Sequence, residues 1–150
     1  MNLEEIIRYI CKRYPYPEEL SKARLTKLVY LADWESCKQF GRQLSNIKWF
    51  FHNFGPYVDD VVNCAKSSPY IDVIETENFY GERKELVKVA LGAPFPNIDK
   101  FAIDIIHKII DETKDLYWND FIEYVYNTPP VAFSERYSTL NLNNFAKQRY

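Results

Sequence analysis

The stretch from Ser21 to Phe40 constrains the fold most, because apolar residues recur there at helical spacing for about five turns with no proline or glycine. Leu25, Leu28, Val29 and Ala32 share one face, Leu31 and Trp34 lie beside it, and Gly41 stands where a helix closes in the left-handed conformation. This is read as the central helix. Lys22, Arg24, Lys27, Lys38 and Arg42 lie on or beside it, mostly off the apolar face, and are expected to form a solvated surface.

The flanking segments supply what packs around it. Leu3, Ile6, Ile7, Ile10, Cys11 and Tyr14 predict a first helix over residues 3–14, capped at Asn2 and ended by Tyr14-Pro15-Tyr16-Pro17. Lys48-Trp49-Phe50-Phe51-His52 suits a short strand, and Phe54-Gly55-Pro56 breaks it, with Pro56 placed at the first turn of a third helix along Val58, Val61, Val62 and Ala65. Residues 71–76 and 84–90 flank a turn near Gly81 and predict a β-hairpin. Ile98, Phe101, Ala102, Ile105, Ile106, Ile109 and Ile110 mark an amphipathic helix with Asn97 as its expected cap. A further helix runs from about Leu116 through Trp118, Phe121, Ile122 and Val125 to Thr128-Pro129-Pro130, and residues 136–150 read as a polar tail or a short final helix. The expectation is an α+β fold: a mostly helical single domain over residues 1–150, with a small antiparallel sheet or hairpin covered by helices.

Charge and composition exclude several functions. A net charge of -2 offers no overall basic field for nucleic acid, although residues 1–50 hold nine basic and six acidic side chains and the remainder is acidic. The chain opens Met1-Asn2-Leu3-Glu4-Glu5, without a basic leader, and no apolar run reaches membrane-spanning length. Cys11, Cys37 and Cys64 form neither an even disulfide set nor a Cys-x-x-Cys pair, which fits a reducing, cytoplasmic setting.

Nothing resembles a nucleophile elbow, a phosphate loop or a metalloprotease helix, so no catalytic residue, metal or cofactor is expected. His107 lies off the apolar stripe of its helix, and His52 sits in the loop before Gly55-Pro56, where a loop-pinning hydrogen bond is the simpler reading. Asp59 and Asp60 complement a helix N-terminus. Cys37, His52, Cys64 and His107 lack ligand-pair spacing for zinc. The aromatic run Trp49 to Tyr57 carries rings on both faces of a strand, so one face is left for the core or for a partner.

Taken in order, Lys27-Leu28-Val29-Tyr30-Leu31-Ala32-Asp33, Gly41-Arg42-Gln43-Leu44, the aromatic strand and Gly55-Pro56-Tyr57 resemble the signature of the Panacea, or SocA-like antitoxin, domain. Tyr126-Asn127-Thr128-Pro129-Pro130 lies where that family carries a His/Thr-rich stretch, and the resemblance spans roughly residues 3–135. Gln43 stands in place of the usual Pro, Tyr57 in place of a small aliphatic residue, and the last stretch lacks the usual histidine. The resemblance implies an antitoxin of a bacterial or phage-borne toxin–antitoxin module, acting without catalysis by binding a cognate protein toxin encoded nearby. Lys27, Leu28, Tyr30, Leu31, Ala32, Asp33, Gly41, Gly55 and Pro56 are then scaffold residues, with Asp33 expected to accept hydrogen bonds from the following loop. Toxin contacts are assigned to Trp49, Phe51, Tyr57 and Trp118, since aromatic side chains dominate interface energetics. Three alternatives stay open: a DNA-binding regulator, from two helices and a hairpin similar to a winged helix, a phage-borne accessory protein, and, ranked last, an enzyme using His52 with nearby carboxylates. Self-association into a homo-oligomer also stays open.

Overall fold

The computed structural model describes residues 2–77 and 80–148. Its elements run α1 (Leu3–Arg13), α2 (Lys22–Phe40), β1 (Phe51–His52), β2 (Gly55–Pro56), α3 (Asp60–Ser67), β3 (Ile71–Glu77), β4 (Arg83–Val89), α4 (Lys100–Thr113), α5 (Trp118–Tyr126), α6 (Pro129–Ala132) and α7 (Leu142–Ala146), with a 3-10 turn at Pro17–Glu19. The fold is α+β, with two small antiparallel sheets among seven helices in the described residues.

Helix α2 is the axis. An unbroken run from Arg24 to Cys37 is buried, so α2 is enclosed on every side, with α1, α3, β4, α4 and α7 packed on it. Ser21 caps its start by accepting from the Arg24 N–H, and Gly41 closes its end at φ 72°. Enclosure overturns part of the expected solvated face. Lys22 and Lys38 stay at the surface, but Arg24 is 5% and Lys27 2% exposed. Arg24 is satisfied there: it donates to the Tyr14 hydroxyl and the Leu116 carbonyl, and its guanidinium lies 4.4 Å from the centre of the Phe121 ring.

The hairpin β3–β4 pairs Ile71 with Val89 through to Glu77 with Arg83, and its inner residues Ile71 and Val87 join the core. Two sequence-based expectations are corrected. Pro56 does not open α3; it pairs with Phe51 in a two-residue ladder, and Tyr57 to Asp59 intervene before the helix. The cap of α4 is Asp99 rather than Asn97, whose backbone N–H instead donates to Glu5. The polar C-terminal stretch does form a helix, α7, because Leu140 and Leu142 reach the core at 2% and 1% exposure. Thr139 bridges Phe50, so the aromatic strand is flanked on both sides by backbone partners.

Candidate functional site

Of the charged side chains buried on α2, Asp33 and Lys27 organise the surroundings in opposite ways. Asp33, 0% exposed, is fully engaged. Its carboxylate accepts from the Ser45 backbone N–H at 2.9 Å, the Ser45 hydroxyl at 2.5 Å, the Trp49 indole N–H at 2.8 Å and the Gln43 amide at 3.3 Å. Burial pushes the Asp33 carboxyl above its ordinary range, and these donors oppose the shift. The loop after α2 is therefore tied to the helix by one carboxylate, as expected from the sequence. Gln43, where the resemblance places a Pro, supplies a tie of its own by donating also to the carbonyls of Ser45 and Ile47.

The far end of the chain is tied to α2 through Tyr30. Thr128 donates its hydroxyl proton to the Val125 carbonyl at 2.6 Å, which leaves the Tyr30 hydroxyl to donate to Thr128 at 2.7 Å. The Tyr126-Asn127-Thr128 stretch and the α2 motif, 98 residues apart, are thus one buried unit.

Lys27 is the unengaged charge. It projects from α2 into the wall of a pocket of about 800 Å³ lined by His52, Phe54, Tyr57, Val58, Trp118, Ile122 and Tyr126, with Ala23, Asn53, Asp59 and Asn119 completing it. Among the described residues no hydrogen bond or ion pair reaches its ammonium. Desolvation alone lowers its pKa, from 10.5 to about 8. Gly55 lies against it: the φ of +100° there lets the chain reverse, and a Cβ at this position would stand in ordinary contact, 3.8 Å from Lys27 Cε and 3.5 Å from the Tyr126 ring.

The four assigned contact residues separate into two pairs. Trp49 is 0% exposed, held by Asp33 and edge-on to Tyr30, and Phe51 is 4% exposed, edge-on to Tyr126. Both are interior, because the ladder to β2 and the chain at Ser138 to Leu140 cover the strand. Tyr57 and Trp118 do line the pocket, and Trp118 is 41% exposed at its mouth. Beside them stands Phe54, 77% exposed, a member of the same aromatic run that was not among the assigned contacts. The scaffold residues Leu28, Tyr30, Leu31 and Ala32 are core, Gly41 and Gly55 take positive φ, and Pro56 is buried.

The remaining candidates lie apart. The His52 ring accepts from the Asn53 N–H, and His107 meets the Tyr9 hydroxyl at 2.7 Å on a distant face. All three cysteines are free thiols, and burial raises the pKa of Cys11 and Cys37 to about 12. Among the described residues no group of three or more His, Cys, Asp or Glu is placed to hold a metal ion, and no helix is long and apolar enough to cross a membrane.

Fold and site together define a helical α+β domain whose central helix carries a satisfied carboxylate on one side and an open, aromatic-walled pocket on another. The match to known families is consistent with that architecture: the family described as Antitoxin SocA-like, Panacea domain matches residues 25–130, from the first core residue of α2 to the Pro-Pro start of α6. The chain belongs to this family. No curated protein and no solved structure matches it.

Proposed function

We infer that the chain is an antitoxin that neutralises a cognate protein toxin by direct, non-catalytic binding in the cytoplasm, with the mouth of the Lys27 pocket as its contact surface. Family membership over residues 25–130 carries the reading. The placement of the surface rests on geometry. Phe54 and Trp118 stand exposed in the pocket lining, and Tyr57 is partly exposed there. Large apolar side chains clustered at a concave site are the usual anchors of a protein interface.

Co-expression with the protein encoded next to this chain tests it. The neighbour alone should arrest growth, the pair should grow, and the two should co-purify. Trp118→Ala and Phe54→Ala should each weaken the complex by about 2 kcal/mol with circular dichroism unchanged. A harmless neighbour with no complex, or a gel shift on the operon's own promoter in place of a complex, would refute the reading in favour of the DNA-binding alternative or another role.

A further inference from the structure

A cation that the fold buries without a partner calls for an anion from outside, and the pocket around Lys27 limits what that anion can be. Lys27 is 2% exposed, yet its ammonium is not among the fully buried side-chain atoms left without a hydrogen bond. The nitrogen therefore keeps a small accessible area, and the open space beside it is the pocket. Asp59, the acidic residue of that lining, does not neutralise it: Asp59 stands at the exposed head of α3, beside the Tyr57 hydroxyl, and makes no ion pair with Lys27. Asp33, six residues along α2, spends its acceptor capacity on Ser45, Trp49 and Gln43.

The walls decide the rest of the chemistry. Tyr57, Trp118 and Tyr126 present rings, Val58 and Ile122 present aliphatic surface, and about 800 Å³ lies between them. That volume is in the range of ordinary small-ligand sites, which combine apolar walls with a few placed polar groups. One buried cation balances one negative charge. A phosphate dianion would exceed it, and Asp59 at the rim would repel a polyanion such as nucleic acid. The Asn119 amide, also in the lining, adds a neutral donor suited to a second carboxylate oxygen.

We propose that the pocket is a binding site for a carboxylate borne on an aromatic or aliphatic body, its oxygens on the Lys27 ammonium and its body between Tyr57, Trp118 and Tyr126. This chemistry has two sources, a free small-molecule acid or the C-terminal carboxylate of a protein chain ending in an apolar residue. The site does not depend on which protein the chain neutralises, nor on its being an antitoxin.

Backbone amide NMR on the whole chain tests it with two matched pairs of probes at pH 7. One pair is indole-3-acetate and indole-3-acetamide. The other is a pentapeptide ending in Phe with a free carboxylate and the same peptide with a C-terminal amide. At least one acid should shift resonances of the pocket lining and bind about tenfold or more tightly than its amide, the discrimination expected of a charged hydrogen bond. Lys27→Met should abolish the difference between acid and amide. Trp118→Ala should weaken acid and amide alike, and Lys38→Met, an exposed lysine on the same helix, should change neither. The tighter of the two acids identifies the source. Equal binding of acid and amide, discrimination that survives Lys27→Met, or no shift in the lining with either acid would overturn the proposal. If the toxin complex fails to form while the acids discriminate, the site stands and the proposed function falls; the reverse outcome separates them the other way.

Discussion

Replacing Lys27 with Met should make the free protein more stable at neutral pH, and the gain should fade as the pH rises. The ammonium sits among apolar walls with no partner, and desolvation lowers its pKa to about 8 against 10.5 for the ordinary side chain. For a lysine shifted downward, the unfolded chain holds the proton more tightly than the folded one. The penalty is therefore fully present below about pH 8, shrinks as the pH climbs toward 10.5, and is gone above it. At about 1.36 kcal/mol per unit, the penalty at pH 7 is on the order of 3 kcal/mol, falling to about 2 kcal/mol at pH 9. Met keeps the length and apolar stem of Lys27, so repacking returns less than about 1.5 kcal/mol of that gain. Urea unfolding of both proteins at pH 7 and pH 9 reads the result. Taking the difference between variant and parent cancels groups that do not interact with Lys27, such as the Cys11 thiol and the Tyr30 phenol, whose shifted titrations also act in alkali. A Met variant less stable than the parent at both pH values, by the same margin, would refute the reasoning by showing that the lysine is satisfied in solution.

Three further outcomes follow from the packing. Asp33→Ala strands the Trp49 indole and the Ser45 backbone donor in the interior and should cost about 3 kcal/mol or more, read as a lowered urea midpoint. Gly55→Ala meets no close atom but forces a side-chain-bearing residue to φ +100°, so backbone strain alone should cost about 1–3 kcal/mol, measured the same way. Trp49→Ala should cost about 3–5 kcal/mol of folding stability and so lower binding only through loss of folded protein, whereas Trp118→Ala should leave the melting curve nearly in place. Thermal unfolding monitored by circular dichroism distinguishes the two.

The elements legible in the sequence were those whose periodicity is enforced by one-sided burial. Helix α4 shows its stripe because Ile105, Ile106, Ile109 and Ile110 are buried while His107 and Lys108 are not. The hairpin shows itself by β-branched runs about a turn, and Asp33 by the cost of leaving a carboxylate unpaired beside apolar neighbours. What the sequence hides is long-range. Arg24 and Lys27 fall off the apolar face of α2 and read as solvated, since the elements that cover them, α5 and the chain around Gly55, lie far along the chain. Trp49 and Phe51 read as surface for the same reason: the segment that closes over their strand, Ser138 to Leu140, looked like tail. Phe54 gave a local signal, a large ring in a turn, but only the tertiary fold brings it beside Trp118.

The contrast between Asp33 and Lys27 bears on what α2 is for. Both charges are buried on one helix, six residues apart, and they do not pair with each other. If burying charge served only to fix the fold, both would be expected to meet internal partners, because an unpaired one subtracts from stability. Asp33 does, and through Ser45, Trp49 and Gln43 it sets the course of the chain into the aromatic strand and hence toward Gly55. Lys27 stands where that course ends, its stem against Gly55 and its ammonium facing the pocket. The satisfied charge builds the wall in which the unsatisfied one is displayed. A cost of about 3 kcal/mol held at one residue is a large share of the stability of a small domain, and a counter-ion that recovers it on arrival gives the pocket both its affinity and its preference for a single negative charge.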